Sequence, residues 1–374
     1  MIHKKQANTG ALPDSHIENL IRQSFILNAD MKNIKPSSLD ITITDTVYEV
    51  PATFQVSPGR TVFEELVDLG FNKRKRSLSE PLEVGKLYVI KVAEKFDLPQ
   101  SVYGYANPKS TSGRLDLHTR LLADHVSLYD SVTPKGFRGD LWLLVQPKSF
   151  PILLYPGISL NQVRLFYSDT RLGCDELEEI MQSVGLLYDP ETKEKLSHKD
   201  MVVKDGIDSI VLTLDLGAHA DGPVGYRARV KKKNSVIDYK EKYDGEDFFE
   251  SLEHKKGKLY LEEQSFYILS ALEAVAVPNF LACEMVPMHD RFGEFRSHYA
   301  GFIDPGWGWG SDGKSYGRPL TLEVRPFEKL LVHHRQPIAS LRFERLAEIP
   351  QNAYDMIESN YKIQSRARLA KQFK

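Results

Sequence analysis

The sequence predicts a mainly β fold, a barrel or sandwich, present in two divergent copies along one chain. Three observations carry this. Apolar and polar residues alternate over 39–50, 86–92, 141–145 and 210–216, the period of half-buried strands. Turn formers such as Pro51, Gly59, Pro99, Pro134, Gly139 and Pro156-Gly157 cut these runs into many short strands, a barrel or sandwich habit. The third observation is a repeat. Tyr88 stands 11 residues before Pro99 with Glu94 between them, and Tyr267 stands 11 before Pro278 with Glu273 between them. In each copy an arginine follows, Arg114 or Arg291, and then a glycine-containing turn and a further strand. A length of 374 residues accommodates two such domains.

Taken in order, the polar residues 1–15 precede a short amphipathic helix over 16–24, with Asp14 or Ser15 as its N-cap and Ile17, Leu20 and Ile21 on one face. The first domain is read as 1–172. Residues 173–205 are read as a linker, helix-like over 175–185 through Leu177, Ile180, Met181 and Val184 and loop-like over 190–200. The second domain is read as 206–350 and a polar, basic tail as 351–374.

Composition removes several classes of function. Lys+Arg 49 against Asp+Glu 51 gives a net charge of −2. That is no basis for coating a nucleic acid, which requires many cationic contacts. No apolar run approaches the roughly 18 residues that would span a bilayer, and residues 1–6 lack the apolar centre of a signal peptide. The two cysteines, Cys174 and Cys283, cannot build a disulfide framework, so a cytoplasmic setting is expected. A zinc deaminase would need Pro-Cys-x-x-Cys, which is absent. The adjacent His333 and His334 would point to opposite faces of a strand. No zinc site is expected.

Four features can carry chemistry. The segment 107–114 (Asn-Pro-Lys-Ser-Thr-Ser-Gly-Arg) gathers three hydroxyls and two cations, suited either to phosphate oxygens or to a solvated turn. The segment 298–310 contains four glycines and four aromatics, suited to a hairpin that approaches a flat ring closely or one that simply packs its own aromatics. Alternation places Glu323 on one strand face with Thr321, opposite Leu320, Leu322 and Val324. If that face lines a cleft, Glu323 is a general acid/base candidate; if it meets solvent, it is an ordinary surface carboxylate. The tail around 361–368 can close over a charged ligand or remain disordered.

Together these segments resemble the 2′-deoxycytidine 5′-triphosphate (dCTP) deaminase family of the dUTPase-like superfamily, in the form that fuses two barrels in one chain. The resemblance runs over nearly the whole length. It rests on Ser110-Thr111-Ser112-Gly113-Arg114, on Ala300 with Ile303-Asp304-Pro305-Gly306-Trp307, on Glu323, on Arg291 nine residues before Ala300, and on Tyr361 with Gln364. It implies two tandem dUTPase-like β-barrels with short peripheral helices, and hydrolytic deamination of dCTP to dUTP and ammonia without a catalytic metal. Glu323 would be the general base, Arg291 or Arg114 would hold the charge around it, and Ser110 would position water or nucleotide. Lys109, Thr111 and Ser112 would meet the triphosphate and its Mg2+. Ala300, Asp304 and Trp307 would read the base, and Tyr361 and Gln364 would close over it.

Each copy departs from the family pattern. The second has Pro287-Met288-His289-Asp290 where the serines belong, and the first lacks both the Asp-Pro-Gly-Trp turn and the glutamate. The resemblance therefore implies a homo-oligomer with sites at barrel interfaces. Either the 110–114 loop and the 300–323 half-site combine, or second-copy barrels alone form the site. Neither a nucleic-acid nor a membrane partner is implied. A dUTP pyrophosphatase, a bifunctional enzyme and a non-enzymatic nucleotide sensor are the competing functions.

Overall fold

The computed structural model describes residues 9–197, 202–203, 209–217, 222–229, 235–253, 256–286, 295–296, 301–310, 313–357, 361, 364 and 366–374. Two compact units emerge. The first comprises Met1–Thr170 with Lys233–Glu241 and Leu346–Gln351, and the second Arg171–Lys232, Lys242–Arg345 and Asn352–Lys374. No described helix is long and apolar enough to cross a membrane.

The first unit opens with α1 (Asp14–Arg22), two residues earlier than the periodicity placed it. Pro13 is the N-cap, and Asp14 sits inside the first turn, where its carboxylate accepts from the Ser15 and Gln351 amides. The strands are β1 (Ser38–Val50), β2 (Leu87–Asp97), β3 (Tyr103–Pro108), β4 (Leu117–Ala123), β5 (Arg138–Pro147) and β6 (Ser159–Phe166). They join in the order β4-β5-β2-β1-β6-β3, one antiparallel sheet curled into a nearly closed barrel. The long strand β1 makes this continuous. Leu39 and Ile41 pair with β6, whereas Val47–Val50 pairs with β2. Two helices interrupt the strands, α2 (Val62–Asp68) and α3 (Ser110–Arg114). Alternation along the chain does not reveal α2, yet its capping box is readable. Thr61 accepts from the Glu64 amide while Glu64 accepts from the Thr61 amide.

The second unit begins with α4 (Cys174–Ser183), whose Leu177, Ile180 and Met181 enter that unit's core. Leu187–Tyr188 pairs into its sheet. The segment expected as a linker is thus largely structural, because its apolar stripe finds a core to fill. Its strands are β7 (Ser209–Thr213), β8 (Gly225–Ala228), β9 (Phe249–Leu252), β10 (Tyr267–Val275), β11 (Leu281–Val286), β12 (Phe295–Arg296), β13 (Phe302–Ile303), β14 (Arg318–Pro326) and β15 (Pro337–Arg345). One sheet runs β9-β8-β10-β14-β12, and a second contains β7-β15-β11-β13. Leu212, Leu269, Leu320, Leu322, Val324, Leu341 and Phe343 pack in the core.

The repeat extends to strand register. Tyr88 faces Val145 as Tyr267 faces Val324, and Gly104 faces Leu165 as Cys283 faces Phe343. Even a buried polar clasp recurs. The Thr42 amide and hydroxyl donate to Glu94 at 2.8 and 2.9 Å, and those of Thr213 donate to Glu273 at 2.8 and 2.6 Å. Burial raises both carboxyl pKa values above the ordinary glutamate value.

Candidate active site

Register defines the site. Residues directly opposed across antiparallel strands share a sheet face, so Tyr226, Ile268 and Glu323 form one row across β8, β10 and β14. Leu320, Leu322 and Val324 alternate to the core side. Glu323 is 1% exposed. The reading of Glu323 as a solvent-facing strand carboxylate is overturned: it is enclosed, the setting in which a carboxylate becomes a tunable acid/base group.

The tail lies over this face. The Thr321 hydroxyl accepts from the Arg368 amide at 3.3 Å and approaches the Arg366 carbonyl at 3.5 Å. The Gln364 side-chain amide donates to the Pro319 carbonyl at 2.9 Å, and both Gln364 and Tyr361 are buried. Beyond, a cleft of about 290 Å3 is lined by Tyr226, Lys242, Arg368, Lys371, Phe373 and Lys374 among others. It is a cationic hollow on the face that carries Glu323. Burial raises the Tyr226 pKa above the ordinary phenol value.

The glycine-rich turn sits beside the start of β14. Phe302 and Ile303 pair with Glu284 and Cys283. The chain then turns through Asp304–Trp309, with the Trp307 amide donating to the Asp304 carbonyl at 3.2 Å. Val277 and this turn exchange bonds, from the Gly306 amide to the Val277 carbonyl at 2.9 Å and from the Val277 amide to the Trp307 carbonyl at 2.8 Å. Glycine is obligatory at position 308, where φ is +62° and a Cβ would stand 2.5 Å from the Val275 carbonyl oxygen. Trp307 is buried between the Arg318 guanidinium, 4.7 Å from its ring, and the Tyr354 ring at 5.0 Å. Arg318 and Asp355 form an ion pair, and the Gly310 amide donates to the same carboxylate at 2.9 Å. Neither Arg318 nor Asp355 stands out in the sequence. Their partnership spans the strand and the tail and obeys no local period.

The hydroxyl loop of the first unit is the short helix α3 and is mostly inward-facing. Thr111, Ser112 and Arg114 are buried, whereas Lys109 and Ser110 are partly exposed. The Ser112 hydroxyl donates to the Leu160 carbonyl at 2.9 Å, and the Lys109 ammonium is paired with Asp40. Of the residues predicted for the site, Glu323, Asp304, Trp307, Tyr361 and Gln364 belong to the second unit, and Lys109, Ser110, Thr111, Ser112 and Arg114 to the first. Arg291 and Ala300 lie outside the described residues. Among the described residues, no three His, Cys, Asp or Glu side chains cluster closely enough to share a metal ion.

The corresponding row of the first unit is Tyr48, Val89 and Leu144. Leucine takes the place of Glu323. All three pack with Val62 and Leu66 of α2 in an apolar cluster that also holds Leu122 and Trp142.

Comparison with known proteins agrees with this division. The model of the 2′-deoxycytidine 5′-triphosphate deaminase N-terminal domain matches residues 8–169, and that of the C-terminal domain matches residues 186–373. The crystal structure of 2′-deoxycytidine 5′-triphosphate deaminase from Agrobacterium tumefaciens superposes with a TM-score of 0.81 at 33% identity, covering 92% of this chain and 97% of that one. No curated protein sequence matches.

Proposed function

Because the chain belongs to the 2′-deoxycytidine 5′-triphosphate deaminase family, we propose that it converts dCTP and water to dUTP and ammonia, with Glu323 as general base. The observation that carries this reading is the enclosed Glu323, held beneath a basic tail on a strand whose first residue lies beside the glycine-rich turn. Glu323 takes a proton from water, and the resulting hydroxide attacks C4 of cytosine. The tetrahedral intermediate collapses when the proton passes to the amino group, which leaves as ammonia. Arg291 or Arg114 balances the charge around the carboxylate, and backbone groups near Ala300 and Asp304 read the base edge beside Trp307.

The cationic cleft lined by Lys242, Arg368, Lys371 and Lys374 suits the triphosphate. Mg2+ arrives with the nucleotide as part of the substrate. Tyr361 and Gln364 anchor the tail over it. In the first unit, Ser110 is the partly exposed hydroxyl available to water or nucleotide, with Thr111 beside it. Lys109 would exchange Asp40 for phosphate oxygens, and Ser112 would contribute without its donated hydrogen. A cytoplasmic homo-oligomer in which barrels of neighbouring copies complete the sites is the assembly this reading implies.

The test is release of ammonia and of pyrophosphate from dCTP and dUTP. Ammonia from dCTP alone supports the deaminase, and pyrophosphate from dUTP supports a pyrophosphatase using Asp304. Binding of dCTP with no release of either, unaffected by Glu323→Gln, supports a sensor. Ser110→Ala with unchanged turnover would remove the first unit's loop from the site.

A further inference from the structure

We propose that Asp355, paired with Arg318, is a positioning residue that locks the base-reading turn, the Glu323 strand and the root of the tail into one unit. The proposal deepens the deaminase reading and rests on it. Asp355 belongs to a short turn, Tyr354–Met356, between the last strand and the tail that reaches Gln364 and Arg368. Its two oxygens serve two different parts of the site. Oδ2 accepts from the Gly310 amide at the end of the glycine-rich turn, and Oδ1 is paired with Arg318, the first residue of β14.

The same junction is closed from two other directions. The Tyr354 amide donates to the Pro305 carbonyl at 2.8 Å. A Cβ at position 306 would stand 2.7 Å from the Ala353 Cβ, so the missing side chain of Gly306 is what admits the tail root. Arg318 also covers Trp307, which packs on Tyr354.

The chemistry of this residue type is specific. An ionised carboxylate accepts at both oxygens and donates from neither, so it can hold an amide and a guanidinium at once. The Arg318 and Asp355 side chains are only 14% and 10% exposed, so water competes poorly for either partner. Glu323 lies on the strand that Arg318 begins. A shift of the turn against this strand would move the bound base relative to the attacking water, and misplacement by about 1 Å can cost roughly a hundredfold in rate. A shift of the tail root would loosen the Arg368–Thr321 contact over the same face. One carboxylate therefore sets both the register of the base and the closure of the lid.

The variants are Asp355→Asn, which leaves one acceptor oxygen, and Arg318→Lys, which keeps charge without the planar fork. Asp355→Glu retains the charge if the asparagine variant folds poorly. Deamination kcat/KM should fall about 10- to 100-fold in Asp355→Asn, with the loss shared between kcat and KM. Arg318→Lys should rescue little. The double variant should be no worse than the poorer single, as expected for two residues acting as one unit. Amide hydrogen exchange without nucleotide should rise together at 301–310 and 366–373 in Asp355→Asn. A folded Asp355→Asn protein with kcat/KM within twofold of wild type overturns the proposal, as does exchange that rises in only one of the two segments. Wild-type protein that releases no ammonia from dCTP overturns the deaminase reading instead, and the exchange measurement still decides the coupling.

Discussion

The two units repeat one strand register and differ in what covers the matching face. In the first, the row Tyr48, Val89, Leu144 is sealed by Val62 and Leu66 of α2. In the second, the matching row Tyr226, Ile268, Glu323 is covered by the tail, which makes polar contacts through Thr321 and leaves a cationic cleft. Register and buried clasp are common to both. A barrel strand thus supplies a fixed position, and the covering segment decides whether that position is core or site. An apolar helix demands an apolar neighbour, because an unpaired carboxylate against it would be strongly disfavoured. A polar tail permits the carboxylate.

Exchanging the key residue tests this most severely. Glu323→Leu imports the first unit's residue into the second and should reduce ammonia release by at least the roughly 10²- to 10⁴-fold that a general base contributes. Folding should persist, since a leucine side chain is tolerated at the matching place in the other unit. Activity within tenfold of wild type would remove Glu323 from the chemistry. The next effect concerns stability. Leu144→Ala opens a hole between β5 and α2 and should cost about 2–5 kcal/mol of unfolding free energy in the first unit. Ammonia release by the folded protein should survive. If turnover falls as far as in Glu323→Leu, the sealed face of the first unit has a catalytic part and the contrast between the units fails.

A smaller effect is expected where the tail meets the strand. Thr321→Val keeps shape but removes the acceptor for the Arg368 amide. One such bond is worth about 1 kcal/mol, or roughly a fivefold rise in KM for dCTP. The change should appear in KM before kcat, because the tail binds and Glu323 reacts. An unchanged KM would mean that the tail is held without this contact.

Much of this site was legible in sequence because strands advertise their faces. Alternation around Glu323 placed it with Thr321 and away from Leu320, Leu322 and Val324, as observed. The repeat was legible because Tyr88 and Tyr267, and Glu94 and Glu273, perform the same local tasks. Other parts had no periodic signal. The pair Ile152 and Ile237 joins a two-residue strand to the first unit, and two residues are too few to show a period. The Arg318–Asp355 pair joins distant segments through charge alone. The helix α2 had a signal in Thr61 and Glu64, but its apolar face reads as one more β segment beside Val50 and Val56.

The finest test asks whether the shared scaffold is shared energetically. Glu94 and Glu273 each accept an amide and a hydroxyl from one threonine, and burial raises each carboxyl pKa from the ordinary 4.5. A raised folded-state pKa means that the folded protein holds the proton more tightly than the unfolded chain. The resulting stability is fully present below the unfolded value and is lost as pH rises through the folded one. Glutamine removes the titration and can keep both contacts. Its oxygen accepts the threonine amide, and its NH2 donates to the threonine hydroxyl once that hydroxyl turns round. Glu94→Gln and Glu273→Gln should therefore match wild type to within about 1 kcal/mol at low pH. Each should gain on wild type as pH rises through the raised pKa, and the gain should level off above it. Unfolding midpoints measured against pH would show the same profile for both variants if the clasp is one device used twice. A gain in one variant with a loss in the other would mean that the two units, alike in register, have assigned the same buried carboxylate to different ends.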